Sequence, residues 1–224
     1  MRVRTPDAVL FDLDGTLIDS AGDLGVAANR MRVERGLEEL PLTTYRKGTS
    51  NGGRGVLKTA FGITPKAQEY AQMLECFYSY YGEACCVHTA LFPGIEQVLC
   101  LLEQHGIPWG IVTNKHRRFT EPVLAALKLD IRCACVVCGD DTPHPKPAPD
   151  PLNFACRQMN VSPKYSVYVG DDRRDIEAGT AAGMITIAAG YGYLGETPNI
   201  DTWHADFVVL QPEALLNHLC PEIC

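Results

Sequence analysis

The side chains able to do chemistry fall in four short stretches. They are Asp12-Leu-Asp-Gly-Thr16, Thr113-Asn114, Lys146 in the loop His144-Pro-Lys-Pro-Ala-Pro149, and Gly170-Asp-Asp-Arg-Arg-Asp175. Clustered carboxylates such as Asp12, Asp14 and Asp171 repel one another and any anionic substrate unless a cation joins them. A donor set made only of oxygens points to a hard ion, Mg2+. One Mg2+ together with Lys146 balances Asp12, Asp14 and Asp171, and a phosphate dianion can then enter without net repulsion. Thr113, Asn114 and the backbone amides around Asp14–Thr16 are donors suited to phosphoryl oxygens. Such a set reads as one suited to phosphoryl transfer.

These residues need elements that bring them together. Ala8–Phe11 reads as a strand that stops at Asp12, Ile107–Val112 as one that stops at Thr113, and Ser166–Val169 as one that stops at Gly170-Asp171. Weaker strands are expected at 134–137, 185–188 and 206–209. Ile95, Val98, Leu99 and Leu102 recur at helical spacing before Gly106, as do Leu152, Ala155, Cys156 and Met159, and Ile176–Ala182 precedes Gly183. Strands alternating with helices predict an α/β fold, a Rossmann-like parallel sheet core with helices on both faces. In such sheets ligands bind at the carboxyl ends of the strands, where all four stretches lie. Asp12 and Thr113 stand about a hundred residues apart, whereas a βαβ unit needs only ~30. The surplus before Phe92 reads as mostly helical, with one helix near Leu24, Ala28 and Met31. Another carries Tyr70, Leu74, Phe77, Tyr78 and Tyr81, whose spacing predicts a core-facing stripe. The expected domains are a discontinuous core, 1–18 and 89–224, and an inserted α-helical cap domain, 19–88.

Composition narrows the function. The 224 residues are 46% hydrophobic and 21% charged, enough apolar content for a packed core. A net charge of −7 argues against a nucleic-acid or anionic-membrane binder. No apolar run approaches the ~20 residues of a membrane span. The first residues carry no signal-peptide pattern, so a cytoplasmic protein is expected. The ten cysteines include Cys133, Cys135 and Cys138 in an apolar run and the Cys85-Cys86 pair beside His88. Packing is the expected role of both groups, since no second Cys/His pair follows at zinc spacing.

The four stretches, in this order, resemble the four motifs of the haloacid dehalogenase superfamily. The resemblance implies that Asp12 is the nucleophile forming an aspartyl-phosphate, and that Asp14 protonates the leaving oxygen and then deprotonates water. It implies that Thr113 holds a phosphoryl oxygen, joined in substrate binding by Thr16, Asn114 and Lys146, and that Lys146 stabilises nucleophile and developing charge. Mg2+ would be held by Asp12, the backbone carbonyl of Asp14, and Asp171, with Asp175 orienting Lys146 or a metal-bound water. Asp14 distinguishes the chain from dehalogenases and P-type ATPases of that superfamily, while a sugar phosphomutase or a retired, merely binding scaffold stay open. Within the superfamily the chain is similar to phosphoglycolate phosphatases at Trp109–Lys115, Cys138–Asp141, Lys146–Leu152 and Tyr191–Glu196. It is also similar to N-acetylmuramic acid 6-phosphate phosphatases at Val87–Phe92 and Arg118–Pro122. The expected partner is therefore a small phosphate ester, most simply 2-phosphoglycolate, acted on by a monomer or homodimer. The Ser50–Arg54 loop is expected to meet the leaving group, with Arg54 or Arg46 as the cation for a carboxylate. Lys115, next after Asn114, is left outside the candidate set.

Overall fold

The computed structural model describes residues 5–196 and 199–219. Readings placed on Met1–Arg4, Cys220 and Cys224 lie outside them. The chain enters through β1 (Ala8–Phe11) and β2 (Ile18–Asp19) and then builds four helices, α1 (Ala21–Glu34), α2 (Arg46–Thr49), α3 (Gly52–Phe61) and α4 (Tyr70–Glu83). It returns through β3 (Ala90–Leu91), α5 (Ile95–Gln104), β4 (Trp109–Val112), α6 (Arg117–Ala126) and β5 (Cys135–Val137). The remainder is α7 (Asp150–Met159), β6 (Ser166–Gly170), α8 (Arg173–Ala182), β7 (Ile185–Ala189), β8 (Phe207–Val209) and α9 (Leu216–Leu219).

Six strands form one sheet in the order β5-β4-β1-β6-β7-β8, every pair parallel. Strand order reverses around β1, which lies between β4 and β6, so the crevice of the sheet opens above Phe11, Val112 and Gly170. The strands are continuous apolar runs because helices cover both faces. Val9, Phe11, Trp109 and Ile111 pack into one cluster, and Leu10, Val112, Val137 and Tyr168 into the other. The strand expected from Ile107 starts at Trp109; Pro108 has no N–H to give to a ladder.

The inserted helices form the cap. Met31, Tyr45, Leu57 and Phe77 are fully buried among them. The stripe on α4 divides rather than facing one core. Phe77 and Tyr81 stack with ring centroids 6.2 Å apart, while Tyr78 and Tyr81 both meet Phe119 of α6, at 5.1 and 5.3 Å. The cap therefore rests on the core directly over the strand ends. Its two connections are tied together by Asp23, whose carboxylate accepts the backbone N–H groups of Val87, His88 and Thr89 and the Thr89 hydroxyl, at 2.6–3.1 Å.

Burial pushes the Cys135 thiol up to about 12 and those of Cys133 and Cys138 to about 11. They are protonated packing groups in and beside β5.

Among the described residues, no helix is long and apolar enough to cross a membrane.

Candidate active site

Asp12 continues β1 past its last paired residue, held by its backbone N–H donating to the Val169 carbonyl at 2.9 Å. The chain then turns through Gly15, whose φ of +95° suits glycine. A Cβ on Gly15 would fall inside the Asp171 carboxylate. This turn places Asp12 at the end of β1 and Asp171 at the end of β6 side by side. Oxygens of Asp12, Asp171 and Asp175 lie within 4.8 Å of one another, and all three side chains are buried.

The Lys146 side chain, only 3% exposed, sets its ammonium between Asp12 and Asp175. Its three N–H groups are shared among Asp12 Oδ1 and Asp175 Oδ1 at 2.7 Å, the Tyr168 hydroxyl at 2.8 Å and the Val112 carbonyl at 3.0 Å. Burial disfavours its charge, but Asp12 and Asp175 outweigh burial and hold its pKa above the ordinary lysine value. One ammonium does not satisfy so many carboxylates. Burial pushes Asp12 up to about 7 against the pull of Lys146, with Asp175 and Asp14 adding to the rise. Burial, Asp12 and Asp175 also raise Asp171 well above the usual carboxylate range.

Such a set fits a hard divalent cation: oxygen donors only, buried, and short of positive charge. Asp175 is the least available of the three. Its Oδ1 takes Lys146 and Tyr168, and its Oδ2 takes the backbone N–H of Asp172 at 3.0 Å. Asp172 is the N-cap of α8 and is gripped by Arg174 through two bonds of 2.9 Å. That pairing outweighs burial and lowers the Asp172 carboxyl. Asp12 and Asp171 are left as the side chains best placed to hold a cation.

Other members of the expected set have different surroundings. Thr113 is 3% exposed and lines the cavity; its Oγ1 accepts the Lys115 N–H at 3.1 Å, which leaves its O–H to donate elsewhere. Asn114 also lines the cavity, and its amide exchanges two hydrogen bonds with the Lys146 backbone, at 2.9 and 3.0 Å. It fixes the loop that carries Lys146. Thr16 was expected on substrate, yet it is fully buried and its hydroxyl donates to Asp171 Oδ1 at 3.1 Å. It orients a carboxylate. Arg54, exposed on α3, lines the cavity. Arg46 does not; its guanidinium is paired with Asp19.

Two residues outside the expected set enter. Lys115 is 8% exposed and bridges both oxygens of Asp14, at 3.0 and 3.2 Å, while the Ser20 hydroxyl donates to the same carboxylate. Tyr81 reaches down from α4, with the Lys115 ammonium 4.8 Å from its ring centroid. No spacing rule joins Lys115 to Asp14, 101 residues away; the one available signal was that it follows the Thr-Asn pair directly. Together these groups surround a cavity of about 220 Å³ roofed by Tyr70, Tyr78, Tyr81 and the Ser50–Arg54 turn.

The model of the haloacid dehalogenase-like hydrolases matches residues 9–189. Similar over the whole chain is an N-acetylmuramic acid 6-phosphate phosphatase of Pseudomonas putida, 40% identical and covering 100% of this chain and 99% of that protein. A phosphoglycolate phosphatase of Xanthomonas campestris pv. campestris is 43% identical over 95% of this chain and 96% of its own. A crystal structure described as a predicted phosphoglycolate phosphatase from Haemophilus somnus superposes with a TM-score of 0.83, covering 96% of this chain and 98% of its own at 26% identity. The chain belongs to the haloacid dehalogenase-like hydrolase family.

Proposed function

We propose that this hydrolase is a Mg2+-dependent phosphomonoesterase acting on a small, carboxylate-bearing ester, 2-phosphoglycolate, through an aspartyl-phosphate at Asp12. The observation that carries the reading is the Asp12–Lys146 pair at 2.7 Å in the wall of a cavity of only about 220 Å³. That volume is below the ~300–1,000 Å³ typical of sites for drug-sized ligands.

Lys146 holds one Asp12 oxygen, so the carboxylate is aimed and its charge is balanced. Asp12 attacks phosphorus, an O–P bond forms, and the bond from phosphorus to the ester oxygen breaks. Asp14 gives its proton to the departing oxygen. It then takes a proton from the water that attacks the aspartyl-phosphate, releasing phosphate and restoring Asp12. The Thr113 hydroxyl donates to a phosphoryl oxygen, and Lys146 stabilises the charge that develops there. A Mg2+ ion held by Asp12 and Asp171, with the Asp14 carbonyl as a third oxygen, would supply charge neutralisation for phosphate entry. Residues 19–88 act as the cap that excludes water and reads the leaving group.

A second reading, an N-acetylmuramic acid 6-phosphate phosphatase, is favoured by the relative of that name that is similar across the full chain. Both substrates carry a carboxylate on the alcohol. Phosphate release from 2-phosphoglycolate, N-acetylmuramic acid 6-phosphate and a hexose phosphate, each with Mg2+ and with chelator, tests the proposal. Preference for 2-phosphoglycolate that vanishes with chelator is expected. Preference for the amino-sugar ester moves the assignment to the second reading, and release unaffected by chelation removes the metal.

A further inference from the structure

The Tyr81 side chain is 2% exposed, and its hydroxyl makes no well-formed hydrogen bond among the described residues; the Lys115 ammonium is the polar group that interacts with it. A buried hydroxyl without a partner is unfavourable, and a native cavity wall that keeps one generally has a ligand or water to satisfy it. Burial pushes the phenol far above its ordinary pKa, so it stays protonated and serves as a donor. Its neighbour Lys115 is also a donor, held in place by Asp14 on one side and by the face of the Tyr81 ring on the other. The two meet where cap and core touch, Tyr81 on α4 of the cap and Lys115 just after β4 of the core.

On the reading above, on which this inference rests, the leaving oxygen sits at Asp14. Whatever is attached to the first carbon of the alcohol then lies next to Lys115. We infer that Tyr81 and Lys115 are the pair that reads the leaving group, jointly receiving a carboxylate on the carbon bonded to the ester oxygen. Both groups donate and neither accepts, which suits an anion better than a sugar hydroxyl. Lys115 already binds a carboxylate, so the substrate offers it a like-for-like exchange, while Asp14 keeps the Ser20 hydroxyl. Of the other cations lining the cavity, Lys146 is held by two carboxylates, Asp12 and Asp175, against one for Lys115, and Arg174 is held by Asp172 and the Ser50 carbonyl. Arg54 lines the cavity from the cap side and is exposed.

The test compares wild type with Tyr81→Phe on 2-phosphoglycolate and on ethyl phosphate, which lacks only the carboxylate function. The expected result is a loss of kcat/KM on 2-phosphoglycolate at least about tenfold greater than on ethyl phosphate, mostly in KM. Equal losses on both esters, or no loss on either, overturn the assignment. Lys115→Gln gives an independent reading by the same ratio if the first variant folds poorly. Binding of 2-phosphoglycolate to Asp12→Asn, with and without Tyr81→Phe, separates this inference from the proposed reaction. If wild type releases no phosphate but Tyr81→Phe weakens binding about tenfold, the reaction assignment fails and the pair stands. If the ligand binds equally tightly in both, or to neither, the pair is overturned.

Discussion

Tyr193 donates its backbone N–H to Asp171 Oδ2 at 2.8 Å, so the loop after β7 holds one of the carboxylates suited to a cation. The same residue's hydroxyl accepts the Ser20 and Ala21 amides at 2.8 and 3.1 Å and donates to Asp19 at 2.8 Å. One residue thus joins the cluster at the strand ends to the first turn of the cap. Tyr193→Phe takes the acceptor from the Ser20 amide and leaves the Ala21 amide only Asp19 Oδ1 at 3.4 Å, a loss of about 1–3 kcal/mol. At about 2–4 °C per kcal/mol for a chain of this size, the melting temperature should fall by roughly 2–12 °C. Thermal unfolding measures this, and an unchanged midpoint would mean that water replaces the hydroxyl without cost.

Lys146 is the sole cation in contact with both Asp12 and Asp175 among the described residues. Lys146→Met therefore leaves two buried carboxylates without their cation, and breaking a buried pair from one side costs about 3–5 kcal/mol. Activity should vanish with stability. Adding Asp175→Asn removes one orphaned charge and should recover part of the melting temperature, while phosphate release stays absent. Denaturation and turnover of the two variants check the two halves separately. Recovery of turnover in the double variant would refute the role given to Lys146.

Arg174 binds Asp172 through two 2.9 Å bonds and donates to the Ser50 carbonyl at 2.6 Å, while the Ser50 hydroxyl accepts the Gly195 N–H at 3.2 Å. This contact pins the cap turn that lines the cavity to the start of α8. Arg174→Ala should loosen the turn and raise KM about tenfold with a smaller effect on kcat, because nothing at Asp12 or Lys146 changes. Steady-state kinetics on the best substrate decide it. A loss confined to kcat would show that Arg174 acts on the chemistry through α8 instead.

What the sequence made legible and what it hid have separate physical causes. Strands of a sheet covered on both faces are apolar throughout, so Asp12, Thr113 and Asp171 stand out where they stop, and a parallel sheet must bring those ends to one edge. Residue type said less about partners. Thr16 and Asn114 look like phosphate donors, but they hold Asp171 and the Lys146 loop, contacts made across 155 and 32 residues of chain. Tyr81 was hidden because α4 buries one stripe against two surfaces, the cap interior and the cavity. Helical spacing identifies such a stripe without saying which of its members meets a ligand.

The raised carboxyls give the protein a pH dependence whose sign depends on metal. Burial lifts Asp12 from 3.8 in the unfolded chain to about 7 in the folded one. Between those values the folded state binds the extra proton, so without metal stability falls as pH rises from about 4 through about 7. Asp172, Glu96 and Asp140 are shifted the other way, below 3.8 or 4.5, and are ionised in both states above about pH 5. They add no slope in that window. A divalent ion needs the ionised carboxylates and competes with the proton, so its affinity, and the stabilisation it confers by binding only the folded form, should grow as pH rises toward 7. The gap between melting temperatures with excess Mg2+ and with chelator should therefore widen from about pH 5 to about pH 8. Asp12→Asn, which cannot ionise there, should flatten that trend and raise the stability of the metal-free protein at the alkaline end. A gap that stays constant with pH in the wild type would place the ion away from Asp12 and Asp171.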